Sequence, residues 1–423
     1  MNPLDPAEVR PGVLHLGIGG FARAHQAVVL ERMMVATGDL SWGMVGVSQR
    51  SPAAAEALRR QSCRYSLMYD RSGPATVVGS VHDAYFAGDD PHRVTRDVAA
   101  GSTRLVTVTV TEKGYRPPSV AAGQLAEGLR ERSRTGAPLT VLSCDNLPGN
   151  GVLLAGLVDE ALGDEAARTW VRENVRFPDT VVDRMVPRTT EDVCAAASGS
   201  LGWRDECALV TEPFLEWVIA DPGPGVLPDL TLGGAVLSRE VAVYAERKLR
   251  ILNAAHSALC WWGVLAGHRY VADVMADETI VGAVRSMLVD DVLPILRAPE
   301  GTRLTDYLDS VFERCANPAL RHATAQVCGD GSLKVGPRLL DSAVANLRLG
   351  RMPHGLAAAV GAWLRCTTTS VDDTGRPLDL DDPMAARIRA TRTTADALRT
   401  VHPEAADHAD FVHAVAQARH SSP

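Results

Sequence analysis

The 423-residue sequence predicts an α/β domain built on a parallel, doubly wound sheet, followed by a mostly α-helical domain. Three observations carry this expectation. Apolar, β-branched runs of strand length alternate with helical patterns through the first half. A glycine-rich turn, "GIGG", joins the first such run to the first helix. Beyond about Ser238 the patterns are long, rich in Ala and Leu, and nearly free of strand signals.

The elements follow in order along the chain. "GVLHLGIGG" reads as a strand entering a glycine turn, and "ARAHQAVVLERMMVATG" as a helix with a glycine stop. "WGMVGVS" is a second strand, and "SPAAAEALRRQS" a helix with Ser51 and Pro52 at its start. "RLVTVTVT" has strand character, "AAGQLAEGLRERSRTG" is helical, and "LTVLSCDN" is another strand. "GVLLAGLVDEAL" and "EAARTWVRENV" are helical again. The Pro- and Gly-rich "ADPGPGVLPDLTLGGAV" reads as a connector, which gives a Rossmann-type domain over 1–235 and a helical domain over 236–423. In the second domain "REVAVYAERKLRILNAAHSALCWWGVLAG" reads as one long helix. "ADETIVGAVRSMLVDDVLPILRA", "LTDYLDSVFERCA", "GLAAAVGAWLRCTTTS" and "DFVHAVAQARHS" continue the helical trend.

Composition narrows the class. Hydrophobic residues at 46% and charged residues at 22% allow a large core. A net charge of -8 argues against a nucleic-acid partner, which calls for a basic face. No apolar run approaches a membrane span. The opening "MNPLDPAEVRPG" lacks the charged-then-apolar layout of a signal peptide, so a soluble cytoplasmic protein is expected. The eight cysteines are scattered with no CxxC pair, which points to ordinary reduced thiols rather than a disulfide framework or metal site.

Gly17, Gly19 and Ala22 fit G-x-G-x-x-A, with Gly20 and Phe21 inside the same loop. The first glycine permits a tight turn, the second lets a pyrophosphate approach the backbone, and the small third residue packs helix on strand. The phosphates would lie at the helix N-terminus. The motif is short, and a ligand-free strand–helix turn also fits it. An NAD domain usually carries an acid at the end of its second strand. Here that strand ends in Ser48, Gln49 and Arg50. Arg50 either meets a 2′-phosphate or solvates a loop, so the cofactor expected is NAD, with NADP possible.

The stretch "ERKLRILNAAHSAL" holds Lys248, Asn253 and His256 among Leu249, Ile251, Leu252 and Leu259. On an α-helix Asn253 lies about 140° round from Lys248, and His256 about 80°, so His256 falls between them. A lysine desolvated there loses basicity and can act as a general base on a hydroxyl. An Asn amide can donate to a developing alkoxide. Spacing alone equally allows a solvated lysine, a helix irregularity and a satisfied core histidine.

Taken together, "GIGGFARAHQ", "TVTEKGY", "SCDNLPGNG", "FPDTVVDRMVP", "EPFLEWVI", "KLRILNAAHS", "RHATAQVCGDGSLK" and "VDDTGRPLDLDDPM" resemble the polyol-specific long-chain dehydrogenases, the family of mannitol 2-dehydrogenase and fructuronate reductase (D-mannonate oxidoreductase). The matches span nearly the whole chain in one order. The resemblance implies zinc-independent hydride transfer to and from nicotinamide, with both domains contributing to the active site. It makes Lys248 the general base, Asn253 and Asn146 the donors to the alkoxide, and His256 the residue that positions substrate. It makes Glu112 a carboxylate linking the lysine to solvent, Asp183 an acid near the cofactor site, and Lys334 a substrate-contacting base. The expected partners are small molecules: a polyol, aldonate or ketose.

Two departures bear on substrate. The segment between Tyr115 and Asn146 is shorter than the family pattern. Gln326 stands where mannitol dehydrogenases carry a basic residue, and "RHATAQ" is closer to fructuronate reductases, which would let Arg321 meet a substrate carboxylate. Two other readings stay open: a dehydrogenase for a phosphorylated polyol, and a cofactor-binding regulator without catalysis.

Overall fold

The computed structural model describes residues 4–71, 73–223 and 225–419; the side chains of 112 and 113 lie outside the description. The chain divides into two compact units, Met1–Ala242 and Val243–Pro423.

In the first unit six strands form one parallel sheet: β1 (Pro11–Leu16), β2 (Gly43–Ser48), β3 (Val81–Phe86), β4 (Leu105–Val108), β5 (Leu139–Ser143) and β6 (Val175–Arg176). Their spatial order is β3-β2-β1-β4-β5-β6, with every pairing parallel. This is the doubly wound arrangement, whose strand order reverses beside β1. The register sets Leu16 of β1 between Val47 of β2 and Val108 of β4. Along β1, Val13 and Leu14 enter different apolar clusters, so both faces of the sheet are buried. Helices α1 (Gly20–Ala24), α2 (Gln26–Thr37), α3 (Ala53–Arg60), α4 (Arg93–Ala99), α5 (Val120–Arg132) and α6 (Asn150–Leu162) connect and cover the strands.

The unit carries two further three-stranded sheets. One joins Tyr65–Met68 to Thr76–Val78 and Leu209–Val210; the other joins Thr180–Asp183, Glu216–Ala220 and Ala235–Ser238. The expected connector therefore contributes a strand: Trp217–Ala220 pair in parallel with Ala235–Ser238.

The second unit is helical, with only isolated bridges, Tyr270↔Ala323 and Val371↔Pro377, among its described residues. The expected single long helix is continuous but not uniform. It comprises α7 (Val241–Arg247), a π-helical segment over Lys248–Asn253, and α8 (Ala254–Leu265). Two more π segments lie at Met287–Val292 and Gly336–Leu340. No helix among the described residues is long and apolar enough to cross a membrane.

Candidate active site

The glycine turn is built to stay close to the sheet. Gly17 has φ +107°, and a Cβ there would lie 2.0 Å from the Thr109 carbonyl oxygen. Its N–H donates to the Val47 carbonyl at 2.9 Å. Gly19 differs: at φ -86° and ψ -173° its backbone suits any residue, and a Cβ would meet only the Gly17 oxygen at 3.8 Å. Its missing side chain thus leaves open space at the head of α1, the cradle that a pyrophosphate needs. His15 supports the turn from below. Its ring is buried, bonded to Thr107 Oγ1 at 2.6 Å and Thr109 Oγ1 at 2.9 Å, and burial pushes it down to about 4. A dinucleotide fits this turn.

The segment after the turn corrects the expected single helix. Arg23, Ala24, His25 and Gln26 are all buried, and the helix breaks at His25, with φ -120° and ψ -81°. The Tyr65 hydroxyl donates to the Arg23 carbonyl at 2.7 Å, and Arg184 Nη1 donates to the Ala24 carbonyl. His25 Nε2 meets the Glu216 carbonyl at 3.0 Å, and its ring stacks on Phe21, centroids 5.1 Å apart. This segment braces the loop against the smaller sheets, and Phe21 is engaged with the imidazole. Asp183 is buried in the strand that pairs with Glu216–Ala220. The next residue, Arg184, holds the Ala24 and Glu212 carbonyls. At the end of β2, Arg50 is exposed, Ser48 Oγ donates to the Ser51 carbonyl at 2.5 Å, and Gln49 bonds Gln124 at 2.8 Å.

Glu112 and Asn146 follow β4 and β5, neighbouring strands that end on one edge of the sheet. Glu112 opens a 3-10 turn, Glu112–Tyr115; its side chain lies outside the described residues. Asn146 is exposed. The residue joining the two loops, Asp145, escaped the sequence reading. It accepts from Val110 N at 3.0 Å, Thr111 N at 2.8 Å and the Tyr115 hydroxyl at 3.0 Å. Asn150 is a second omission: buried, it donates to the carbonyls of Asp145 and Thr180, both at 3.0 Å. The signal available was a run of polar residues directly after an apolar strand.

In the second unit Lys248 is buried, with 8% of its surface exposed, at the first position of the π segment. The α-helical angles expected for the lysine–asparagine–histidine set do not apply. A π turn is wider than an α turn, so Asn253 comes round nearer to the face that carries Lys248. His256 follows one α-turn later, and residues three apart are neighbours. The backbone thus sets all three toward one side of the helix. Ile251 and Leu252 of the same segment are buried. Burial, then the nearby His322, Arg338, Lys334 and Arg314, holds His256 well below its ordinary range, so the imidazole is neutral. Lys334 is half-buried; its Nζ donates to the Val327 carbonyl at 3.0 Å and to that of Gly329. Arg321 and Gln326 are exposed, Arg321 in the left-handed region at φ +42°.

A doubly wound sheet with an open glycine cradle at the head of α1, followed by a helical unit, defines a dinucleotide-binding class of protein. Residues 11–230 match the mannitol dehydrogenase Rossmann domain, and 240–419 the mannitol dehydrogenase C-terminal domain. The chain belongs to the mannitol dehydrogenase family and is an NAD(P)-dependent oxidoreductase acting on CH–OH groups. It is 33% identical over 459 residues to D-mannonate oxidoreductase of Escherichia coli K12, covering 98% of this chain and 93% of that one. It is 34% identical over 424 residues to mannitol dehydrogenase 2 of Saccharomyces cerevisiae, covering 92% and 84% respectively. The structure of Pseudomonas fluorescens mannitol 2-dehydrogenase, a ternary complex with NAD and D-mannitol, superposes with a TM-score of 0.88 at 28% identity, covering 98% and 92%.

Proposed function

We propose that this enzyme interconverts a secondary alcohol of a polyol or aldonate with its ketose or ketouronate, with Lys248 as general base. The observation that carries the reading is the π segment that contains both the buried Lys248 and Asn253, with the neutral His256 one turn beyond. The dinucleotide is assigned to the first domain, the alcohol to the second. Gly17, Gly19, Gly20 and Phe21 would hold the pyrophosphate end, with Asp183 nearby and Arg50 free to meet a 2′-phosphate. NAD or NADP, when bound, supplies the hydride acceptor for oxidation and the donor for reduction. In oxidation neutral Lys248 takes the hydroxyl proton at Nζ. The side-chain amide of Asn253 donates to the resulting alkoxide oxygen, and the family resemblance gives Asn146 a like role. His256, uncharged, orients a neighbouring substrate hydroxyl without competing for the proton. The family resemblance gives Glu112 the role of passing a proton to water.

The test is Lys248→Ala in the full chain. Turnover of D-mannonate and D-mannitol should fall by about 10²–10⁴, the usual contribution of a general base, while dinucleotide affinity holds. The loss should ease with rising pH, as hydroxide replaces the lysine. Near-normal turnover at every pH would remove Lys248 from the mechanism.

A further inference from the structure

The first unit holds a cavity of about 520 Å³, partly open to solvent, that no residue of the proposed reaction lines. Its walls come from three short stretches: Leu4 and Asp5, then Gln61, Ser62 and Arg64 of one turn, then Trp203, with Val77 beside them. Each stretch is tied down. Leu4 N donates to Glu31 Oε1 at 3.1 Å, and Gly79 leaves room for it, since a Cβ there would lie 2.0 Å from the Leu4 carbonyl oxygen. Gln61 joins the other two walls. Its Nε2 donates to Asp205 Oδ1 at 2.8 Å and its Oε1 accepts from Glu206 N at 3.1 Å, two and three residues beyond Trp203. Asp205 is fully buried and also accepts from Ser66 N and Cys207 N, both at 2.8 Å. The turn itself is strained. Ser62 and Cys63 sit in succession at φ +54° and +57°, the left-handed region, without a glycine. Such residues cost stability, persist only where their surroundings over-determine them, and gather at ligand sites.

The charges on these walls are one cation and one anion. Arg64 Nη2 meets Asp5 Oδ1 at 2.8 Å, with the two side chains 45% and 46% exposed. An ion pair this exposed contributes little to the fold, so its members exchange readily for other partners. A ligand with one charge would take one member and strand the other. A ligand with both charges on neighbouring groups satisfies the two at once. Its carboxylate takes Arg64, whose planar fork suits a carboxylate, and its ammonium takes Asp5. Glu206, three residues past Trp203, is already held by Arg60 at 2.7 Å and Arg204 at 2.9 Å. Leu4, Val77 and the Trp203 indole supply an apolar surface beside the charges, and an indole favours an aromatic neighbour. A neutral polyol would leave the ion pair in place and bring nothing for that surface.

We propose that this cavity binds a free α-amino acid with an apolar side chain, at a site separate from that of the polyol or aldonate. The carboxylate lies against the Arg64 guanidinium, the ammonium against the Asp5 carboxylate, and the side chain against Leu4, Val77 and Trp203. The volume falls in the usual range of small-molecule sites, about 300–1,000 Å³. The site stands or falls independently of the reaction proposed above.

The experiment is a ligand-observed NMR titration of the full chain with L-phenylalanine, and with 3-phenylpropanoate and 2-phenylethylamine, each of which keeps the ring and one of the two charges. L-Phenylalanine should bind with a Kd of about 1 mM or lower, and each analogue at least roughly tenfold more weakly. Arg64→Gln and Asp5→Asn should each weaken L-phenylalanine about tenfold, and Arg64→Lys should recover part of the loss. In Arg64→Gln, 2-phenylethylamine should bind no worse than in wild type, because Asp5 is then released to take it; a general loss of structure would weaken every ligand alike. Trp203→Leu leaves the ion pair intact and should still weaken L-phenylalanine. NADH affinity, read in parallel, should hold in every variant, and excess D-mannitol should not displace the amino acid. No binding of L-phenylalanine up to about 10 mM, equal binding of either single-charge analogue, affinity untouched in Arg64→Gln, or displacement by D-mannitol overturns the proposal.

Discussion

Alanine at Gly19 separates the fold of the glycine turn from its use. At φ -86° and ψ -173° Gly19 is in a region open to L-residues, and an added Cβ has only one atom within 4 Å, at 3.8 Å. The folded protein loses no contact, and the unfolded chain loses some freedom, so stability should stay level or rise by about 0.4–1 kcal/mol. The methyl group would stand where a pyrophosphate approaches the backbone. Losing one close, charge-assisted backbone hydrogen bond costs about 1.5–3 kcal/mol, which is roughly a tenfold to hundredfold rise in Kd. Gly17→Ala is the control. Its Cβ would sit 2.0 Å from the Thr109 oxygen at φ +107°, so it should lower both stability and affinity. The assay is urea unfolding together with a fluorescence titration of NADH, on wild type and both variants. Wild-type NADH affinity in Gly19→Ala would refute the cradle.

Three further outcomes follow from the same geometry. Arg50→Ala should weaken NADPH about tenfold and leave NADH unchanged, since only the former presents a 2′-phosphate to the end of β2; an equal effect on both in the titration would assign Arg50 no part in cofactor choice. Asp145→Ala leaves the Val110 and Thr111 amides without their acceptor. At about 1–3 kcal/mol each it should cost roughly 3 kcal/mol in urea unfolding; a loss under about 1 kcal/mol would show the loops hold without it. His15 stays neutral in the fold down to about 4 against its ordinary 6.5. The unfolded chain therefore binds the proton first as pH falls from 6.5, and stability drops by ~3 kcal/mol across that window, with no His15 contribution above it. Unfolding of wild type and His15→Gln between pH 7 and pH 4, read as a difference, should show that slope missing in the variant; parallel curves would contradict it.

Much of the first domain was legible because its signals are local. The six-stranded sheet announces itself through apolar runs such as "LVTV" and "LTVLS", buried on both faces, and through glycines that no other residue can replace at φ +107°. What failed was set by partners far away in sequence. "ARAHQ" has the composition of a helix. It breaks at His25 because the carbonyls of Arg23 and Ala24 are taken by Tyr65 and Arg184, 42 and 160 residues distant. The strand Ala235–Ser238 hid in a connector rich in Pro and Gly, since only pairing with Glu216–Ala220 makes it a strand.

The lysine–asparagine–histidine set shows the same limit in sharper form. Lys248, Asn253 and His256 could be singled out as candidates, but their relative placement was read from a regular α-helix where the structure has a π segment. Nothing in "KLRILN" distinguishes i→i+5 from i→i+4 bonding, because the side chains on offer suit either. The difference is consequential. On a regular α-helix Asn253 turns about 140° away from Lys248, and a long lysine must reach round to meet it. In the π segment the wider turn brings the asparagine nearer to the lysine's face, and less reach is needed. The extra residue widens the turn, which costs backbone bonding quality and is tolerated mostly where function requires it. The proposed reaction supplies such a requirement: a base and an alkoxide donor must address one hydroxyl from one side. Ile251 and Leu252 are buried within the irregular turn, and their packing holds it in place. Cutting either to Ala should therefore lower turnover more than an equal loss of stability elsewhere in the unit.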